Sequence, residues 1–216
     1  PGPRWRIREH QHSKKATLDA WNDMPDLIRG ALLEFNNSTS LRKLAGITGY
    51  DDLESDPTLF GGGMHLSSPG SFLDVHVDFS TNPDTGHLRA LTLRLYLPPD
   101  WDPAWGGYLE MWGTDGKMVA IQPKFNRAVL FETSEISWHG HPRPLACPPG
   151  VVRKSLAVYY YRPIPAKKHT TIYMMTPGEI KRRLDAREEF SLQIRGADGA
   201  VSTYHSSEIV LEEVER

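Results

Sequence analysis

The chain has 216 residues, with 25 Lys and Arg against 27 Asp and Glu, a net charge of −2 and 39% hydrophobic residues. A length of this order fits one domain that buries roughly 70% of its unfolded surface, and the near-neutral balance argues against a polyanion binder, so no nucleic-acid partner is expected. One cysteine, Cys147, excludes an internal disulfide and a Cys-based zinc site; with no apolar run near the ~20 residues of a membrane span and no signal peptide, a cytoplasmic protein without a membrane partner is expected.

Residues 1–15 hold five Arg or Lys and two His, and read as a flexible or edge segment. Leu27, Ile28, Ala31, Leu32 and Phe35 then share one helical face, capped by Asp23 or Met24 with Pro25 in the first turn and ended at Asn36 and Asn37. A second short helix is expected over Ser40–Ala45, stopped by Gly46. Residues 51–71 are rich in Asp, Gly, Ser and Pro and read as loop.

From Phe72 into the low 160s the texture is β. Strands are expected over Phe72–Phe79, Leu88–Leu97, Tyr108–Trp112, Met118–Gln122, Ala128–Glu132 and Ser155–Tyr161. The second alternates strictly, with Leu91, Leu93, Leu95 and Leu97 against Thr92, Arg94 and Tyr96. Short strands with frequent turns point to an antiparallel sandwich or barrel. After Arg162-Pro163, Thr176-Pro177-Gly178-Glu179 has the form of a capping box opening a charged helix through Glu189. Phe190–Ile194 and Val201–Tyr204 form a hairpin around Asp198-Gly199, and the acidic last residues trail away. One domain is expected, with residues 1–60 its helical N-terminal part, 61–163 its β core and 164–216 an extension.

With one cysteine, any metal must use His and carboxylates. His76 and Asp78 lie at i and i+2 of a strand, so their side chains share a face. Two histidines and a carboxylate with open positions form the ligand set of non-haem Fe(II) oxygenases. The second histidine would come from a distant strand, as His139 or His141; spacing alone does not choose between them. Arg153 opens an apolar strand and suits a carboxylate in a bidentate fork. Ser155 faces the same side, and Tyr96 offers a further donor. Trp101, Trp105, Trp112, Trp138 and Tyr159–Tyr161 are aromatic enough for a pocket, although core packing is the commoner use. The 51–71 and 80–88 loops are candidate lids.

The order His76-x-Asp78, Tyr96-Leu97-Pro98-Pro99-Asp100-Trp101, Gly106-Gly107-Tyr108-Leu109, Gln122-Pro123-Lys124-Phe125-Asn126-Arg127, Trp138-His139-Gly140 and Arg153-Lys154-Ser155 resembles the 2-oxoglutarate- and Fe(II)-dependent dioxygenases, and among them the prolyl-hydroxylase branch. The similarity spans about residues 60–163. It implies a mostly β fold with flanking helices: a double-stranded β-helix, or jelly roll, with N-terminal helices packed on one sheet. It implies Fe(II), 2-oxoglutarate and O2 as cofactor and co-substrates, with ascorbate as reductant. His76, Asp78 and His139 would bind Fe(II); His139 is preferred to His141 because the run from Val129 aligns without a gap. Arg153, Tyr96 and Ser155 would hold 2-oxoglutarate, and Asp78 favours hydroxylation over halogenation. The substrate would be a prolyl or other peptide residue, or a small molecule. Departures from the pattern are Leu66, where oxygen sensors carry a tyrosine, and a longer Pro-rich stretch between His139 and Arg153. A non-catalytic, cupin-like binding module, or a Zn or Mn cupin enzyme, is the alternative.

Overall fold

The computed structural model describes residues 4–10, 12–113, 115–166, 168–174, 180, 184–189, 191–195 and 201–208. It contains β1 (Arg6–His10), β2 (Ser13–Leu18), α1 (Asp26–Asn36), α2 (Ser38–Thr48), β3 (Glu54–Ser55), β4 (Gly63–Ser67), β5 (Leu73–Val77) and β6 (His87–Tyr96). These are followed by β7 (Leu109–Trp112), β8 (Met118–Ile121), β9 (Ala128–Glu132), β10 (Trp138–His141), β11 (Arg153–Pro165), β12 (Ile172–Tyr173), β13 (Ser191–Arg195) and β14 (Val201–His205). Contacts divide the chain into two compact units, residues 1–173 and 174–216. The second contains the expected hairpin, β13 paired antiparallel with β14. The capping box at 176–179, the 196–200 turn and the acidic end from 209 lie outside the described residues.

In the first unit, nine strands follow one hydrogen-bonded path in the order β8-β7-β10-β5-β2-β4-β11-β6-β9, with β1, β12 and β3 pairing at its sides. Flat, such a path would hold β10 and β6 about 24 Å apart, five steps of ~4.8 Å. Instead His139 on β10 and Tyr96 on β6 line one cavity, so the sheet curls on itself as a jelly roll does.

Strand β11 separates the two sides of the curl. Its Leu156, Val158 and Tyr160 belong to the large core cluster with Leu18, Met24, Leu32 and Leu91, against which Ile28, Ala31 and Phe35 of α1 pack. Tyr160 is fully buried and its hydroxyl donates to the Phe35 carbonyl, 3.0 Å away, tying sheet to helix. The alternate residues Ala157, Tyr159 and Tyr161 form a separate cluster with Phe79.

Several expectations change. Helix α1 begins after Pro25, which is its N-cap; Asp23 ends a 3-10 turn and pairs with Arg4 instead. Leu27, assigned to the apolar face, is 84% exposed. Helix α2 runs past Gly46 because Asn37 caps it at Ser40 N and Gly49, at φ +78°, is the residue that ends it. The N-terminal segment is an edge only at β1; β2 lies inside the sheet, between β4 and β5. The 51–71 stretch contains β3 and β4, the latter paired with both β2 and β11. Its strand-forming run, Met64-His65-Leu66, is short and follows three glycines, which hid it.

Candidate metal centre and adjoining cavity

His76 is the penultimate residue of β5 and His139 sits opposite it on β10, as register partners. Their rings lie 4.5 Å apart between centroids. Gly140 makes this approach possible. A Cβ there would stand 2.8 Å from the carbonyl oxygens of both Leu73 and Asp74, so the two strands can close only over a glycine. Asp78, two residues after His76, completes a group whose ligand atoms all lie within 4.8 Å of one another. His76 Nε2 is 3.5 Å from Asp78 Oδ1, and His139 Nε2 is 3.4 Å from Asp78 Oδ2. Donors each ~2.1 Å from one ion stand about 3 Å apart at right angles, so the spacing suits a shared metal.

The tautomers suit it too. His76 Nδ1–H donates to the Asp74 carbonyl at 2.7 Å and His139 Nδ1–H to the Ser137 carbonyl at 2.8 Å. A carbonyl only accepts, so each Nδ1 carries the proton and each Nε2 keeps its lone pair for a metal. Burial lowers the pKa of His76, against the raising effect of Asp78.

Asp78 is fixed by Arg89, whose Nη2 lies 2.7 Å from Asp78 Oδ2 and 2.9 Å from Thr92 Oγ1. Burial alone would raise the Asp78 pKa, but the Arg89 charge and the two histidines outweigh it and hold the carboxyl well below its usual range. The Arg89 guanidinium carbon lies 3.4 Å from the Tyr159 ring centroid and 4.4 Å from that of Phe79, a cationic layer between two π faces. Alternation along β6 would put Arg89 on the leucine face. A register shift opposite Tyr160 and Tyr161 skips Ala90, and the bulge turns Arg89 to the side of Thr92, Arg94 and Tyr96.

A cavity adjoins the metal group, lined by His139, Gly140 and His141 from β10, Arg94 and Tyr96 from β6, and Arg153 from β11, with Lys15, His65 and Ser67 across it. Arg153 and Tyr96 therefore meet as expected, the guanidinium carbon 5.9 Å from the Tyr96 ring centroid. Ser155, paired with Tyr96 in register, is buried beside them. Arg153 Nη1 donates to the Gly107 carbonyl, and the positive φ of Gly106 and Gly107 lets that turn pass close to the arginine. Arg153 Nε and His141 Nδ1 are buried without partners. Both atoms suit an acidic ligand. Burial depresses the Arg153 pKa to about 10.

His141 therefore lines the cavity and is absent from the metal group. The tryptophans do not converge. Trp101 and Trp105 pack with Leu145 and Cys147, and Trp112 faces Trp138 across strands. The 80–88 loop is pinned: Ser80, Thr81 and Asn82 are buried and Asn82 Oδ1 accepts from the backbone of Asp84 and Thr85. Sequence reasoning did not assign roles to Arg89, Arg94, Lys15, His65 or Tyr173. The alternation of β6 did place Arg94 beside Tyr96; nothing comparable marked the others.

The curled antiparallel sheet and the two-His, one-carboxylate group with free Nε2 atoms define the class: a jelly-roll protein of the mononuclear non-haem iron type. Residues 62–161 match the 2OG-Fe(II) oxygenase superfamily, a family whose name carries Fe(II) and 2-oxoglutarate, and the His76, Asp78 and His139 group fits that iron. Among solved structures, a Pseudomonas putida prolyl-4-hydroxylase is similar in fold: TM-score 0.51, 23% identity, 74% of this chain and 76% of that one covered. A Trichoplax adhaerens prolyl hydroxylase aligns over 69% of this chain and 63% of its own, with TM-score 0.46 and 20% identity. A viral collagen prolyl hydroxylase from Paramecium Bursaria Chlorella virus-1 aligns over 71% and 80%, with TM-score 0.44 and 16% identity. No curated protein matches the chain by sequence. Among the described residues no helix is long and apolar enough to cross a membrane.

Proposed function

We propose that the protein hydroxylates an unactivated C–H bond, with His76, Asp78 and His139 holding Fe(II) and with Arg153, Tyr96 and Ser155 holding the distal carboxylate of 2-oxoglutarate. The observation that carries the reading is the metal group itself: two Nε2 lone pairs and a carboxylate within 4.8 Å, sharing His139 with a cavity that a buried arginine lines. Ferrous iron with the oxo acid and dioxygen supplies the oxidation of the C–H bond, releasing CO2 and succinate.

The protein's own residues bind and orient. Backbone carbonyls 74 and 137 fix the two imidazoles, and Arg89 fixes the carboxylate rotamer. Arg153 offers its unpartnered Nε to the acid, while Nη1, held by the Gly107 carbonyl, fixes the plane of the guanidinium. On the metal group's flanks, Phe131 lies 4.7 Å from His139 and Tyr173 5.5 Å from His76, centroid to centroid. Aromatic faces there suit an apolar ring. The Pseudomonas putida neighbour is a prolyl-4-hydroxylase by name, so prolyl peptides are the first substrates to test, before free amino acids and other small molecules.

The purified chain with Fe(II), ascorbate and 2-oxoglutarate should release succinate slowly, and a peptide or metabolite panel should reveal one substrate class that accelerates it. Full turnover by His76→Ala or Asp78→Ala would overturn the ligand assignment. A protein that binds metal and 2-oxoglutarate but never releases succinate with any panel member would be a binding module instead.

A further inference from the structure

The reading above leaves two cations of the cavity without a part. Arg94 stands two residues before Tyr96 on β6, on the same face, and lines the cavity. Its Nη1 lies 3.2 Å from Ser155 Oγ and 3.4 Å from His65 Nδ1. His65 Nε2 lies 3.1 Å from the Gly61 carbonyl. A carbonyl only accepts, so Nε2 carries the proton and Nδ1 is left as an acceptor for Arg94. Burial first, then the Lys15 and Arg94 charges, keep the His65 pKa well below its ordinary value, so the ring stays a neutral acceptor. Ser155 Oγ accepts from Arg94 too, which leaves its hydroxyl hydrogen to donate elsewhere. Lys15 reaches the cavity from β2. Desolvation, aided by Arg94, lowers its pKa to about 7.

Two arginines and a lysine thus surround one cavity, the lysine ready to take its proton when an anion enters, and among the cavity's described lining residues none is acidic. The neighbouring carboxylate, Asp78, is already engaged by Arg89 and the two histidines. Like charges gathered out of water repel one another, and an anion relieves them. A carboxylate has about four lone-pair sites, enough for a guanidinium fork, a hydroxyl and a further cation.

We infer that the cavity grips its dicarboxylic co-substrate with three cations rather than one, Arg94 and Lys15 beside Arg153, and that His65 and Ser155 hold Arg94 in place for this. The inference rests on the 2-oxoglutarate reading above and extends it to residues outside the family's motif blocks. Its consequence is selectivity: the distal carboxylate contributes more to binding than a single arginine would provide.

The test is anaerobic calorimetric titration of the Mn(II)-loaded full chain with 2-oxoglutarate, and with pyruvate as a 2-oxo acid lacking the distal carboxylate. Arg94→Leu should weaken 2-oxoglutarate binding by ~30-fold or more, as removal of one partner from a desolvated charge contact does, and Lys15→Met by ~10-fold. Arg94→Lys should regain part of the loss. Pyruvate binding should change less than about threefold in the same variants, because it lacks the group they contact. Thermal melts and Mn(II) affinity report folding independently, and Lys15→Met is the second variant if Arg94→Leu fails to fold. Wild-type protein that does not bind 2-oxoglutarate would overturn the co-substrate reading and this inference with it. Wild-type binding that survives both substitutions within about threefold, while Arg153→Leu abolishes it, would overturn this inference alone. Equal losses for 2-oxoglutarate and pyruvate would also count against it.

Discussion

Asp78 does two things that a single substitution conflates: it offers oxygen to a metal, and it neutralises Arg89. Arg89 is 1% exposed, its Nε and Nη1 have no partner, and apart from Asp78 its hydrogen bond goes to Thr92. Asp78→Ala would therefore strand a buried guanidinium. Breaking a buried pair from one side costs about 3–5 kcal/mol, somewhat offset here by the Tyr159 and Phe79 faces. For a unit of this size each kcal/mol moves the melting temperature by about 2–4 °C, so the metal-free Asp78→Ala variant should melt roughly 6–20 °C below wild type. The double variant Asp78→Ala/Arg89→Leu, with both charges gone, should recover at least ~2 kcal/mol of that loss yet still bind no metal. The assay is thermal and urea unfolding in excess chelator, read as a double-mutant cycle. A metal-free Asp78→Ala protein melting within about 2 °C of wild type would refute the reasoning, as would a double variant no more stable than the single one.

Four further outcomes follow from the geometry. His76→Ala and His139→Ala should each lower metal affinity and succinate release by ~100-fold or more, whereas His141→Ala keeps metal affinity within about threefold; equilibrium metal titration separates them. Gly140→Ala should weaken metal binding ~10-fold or more, because its Cβ meets the β5 backbone and parts the strands that hold His76 and His139; Mn(II) titration reads it. His65 and His141 are both held well below the ordinary histidine pKa, chiefly by burial and then by the cavity cations. The unfolded chain therefore binds more protons below pH ~6.5, and stability, complete above that pH, should fall on acidification by up to ~1.4 kcal/mol per pH unit for each ring. His141→Gln should remove about one proton from that slope in urea unfolding between pH 6.5 and 5. Tyr160→Phe should destabilise by about 1 kcal/mol, the loss of one buried hydrogen bond to the end of α1, seen in the same unfolding curves.

The β core was legible because its residues alternate. Ala128–Glu132 coincides with β9, and the alternating Leu run lies within or beside β6. The His76-x-Asp78 pair was legible from period-two geometry, and His139 joins it in the structure. What stayed hidden depends on pairing over long sequence distance. Arg89 is invisible to alternation because the bulge at Ala90 changes the phase. Lys15 and His65 belong to strands whose neighbours, not their composition, make them strands. Leu27 misled because a helix of two turns or more has apolar residues beyond the width of its buried face. The tryptophans suggested a pocket by chemistry alone, and their strands carry them to different places.

The position of β2 bears on how this protein can be cut. The matched segment begins at residue 62, yet the strand between β4 and β5 comes from residues 13–18. A fragment trimmed to the matched boundaries would expose two raw sheet margins where β2 had been, and such margins recruit other chains. Expression of that fragment should therefore yield aggregate rather than a smaller enzyme, and a minimal soluble version must keep the first hairpin attached.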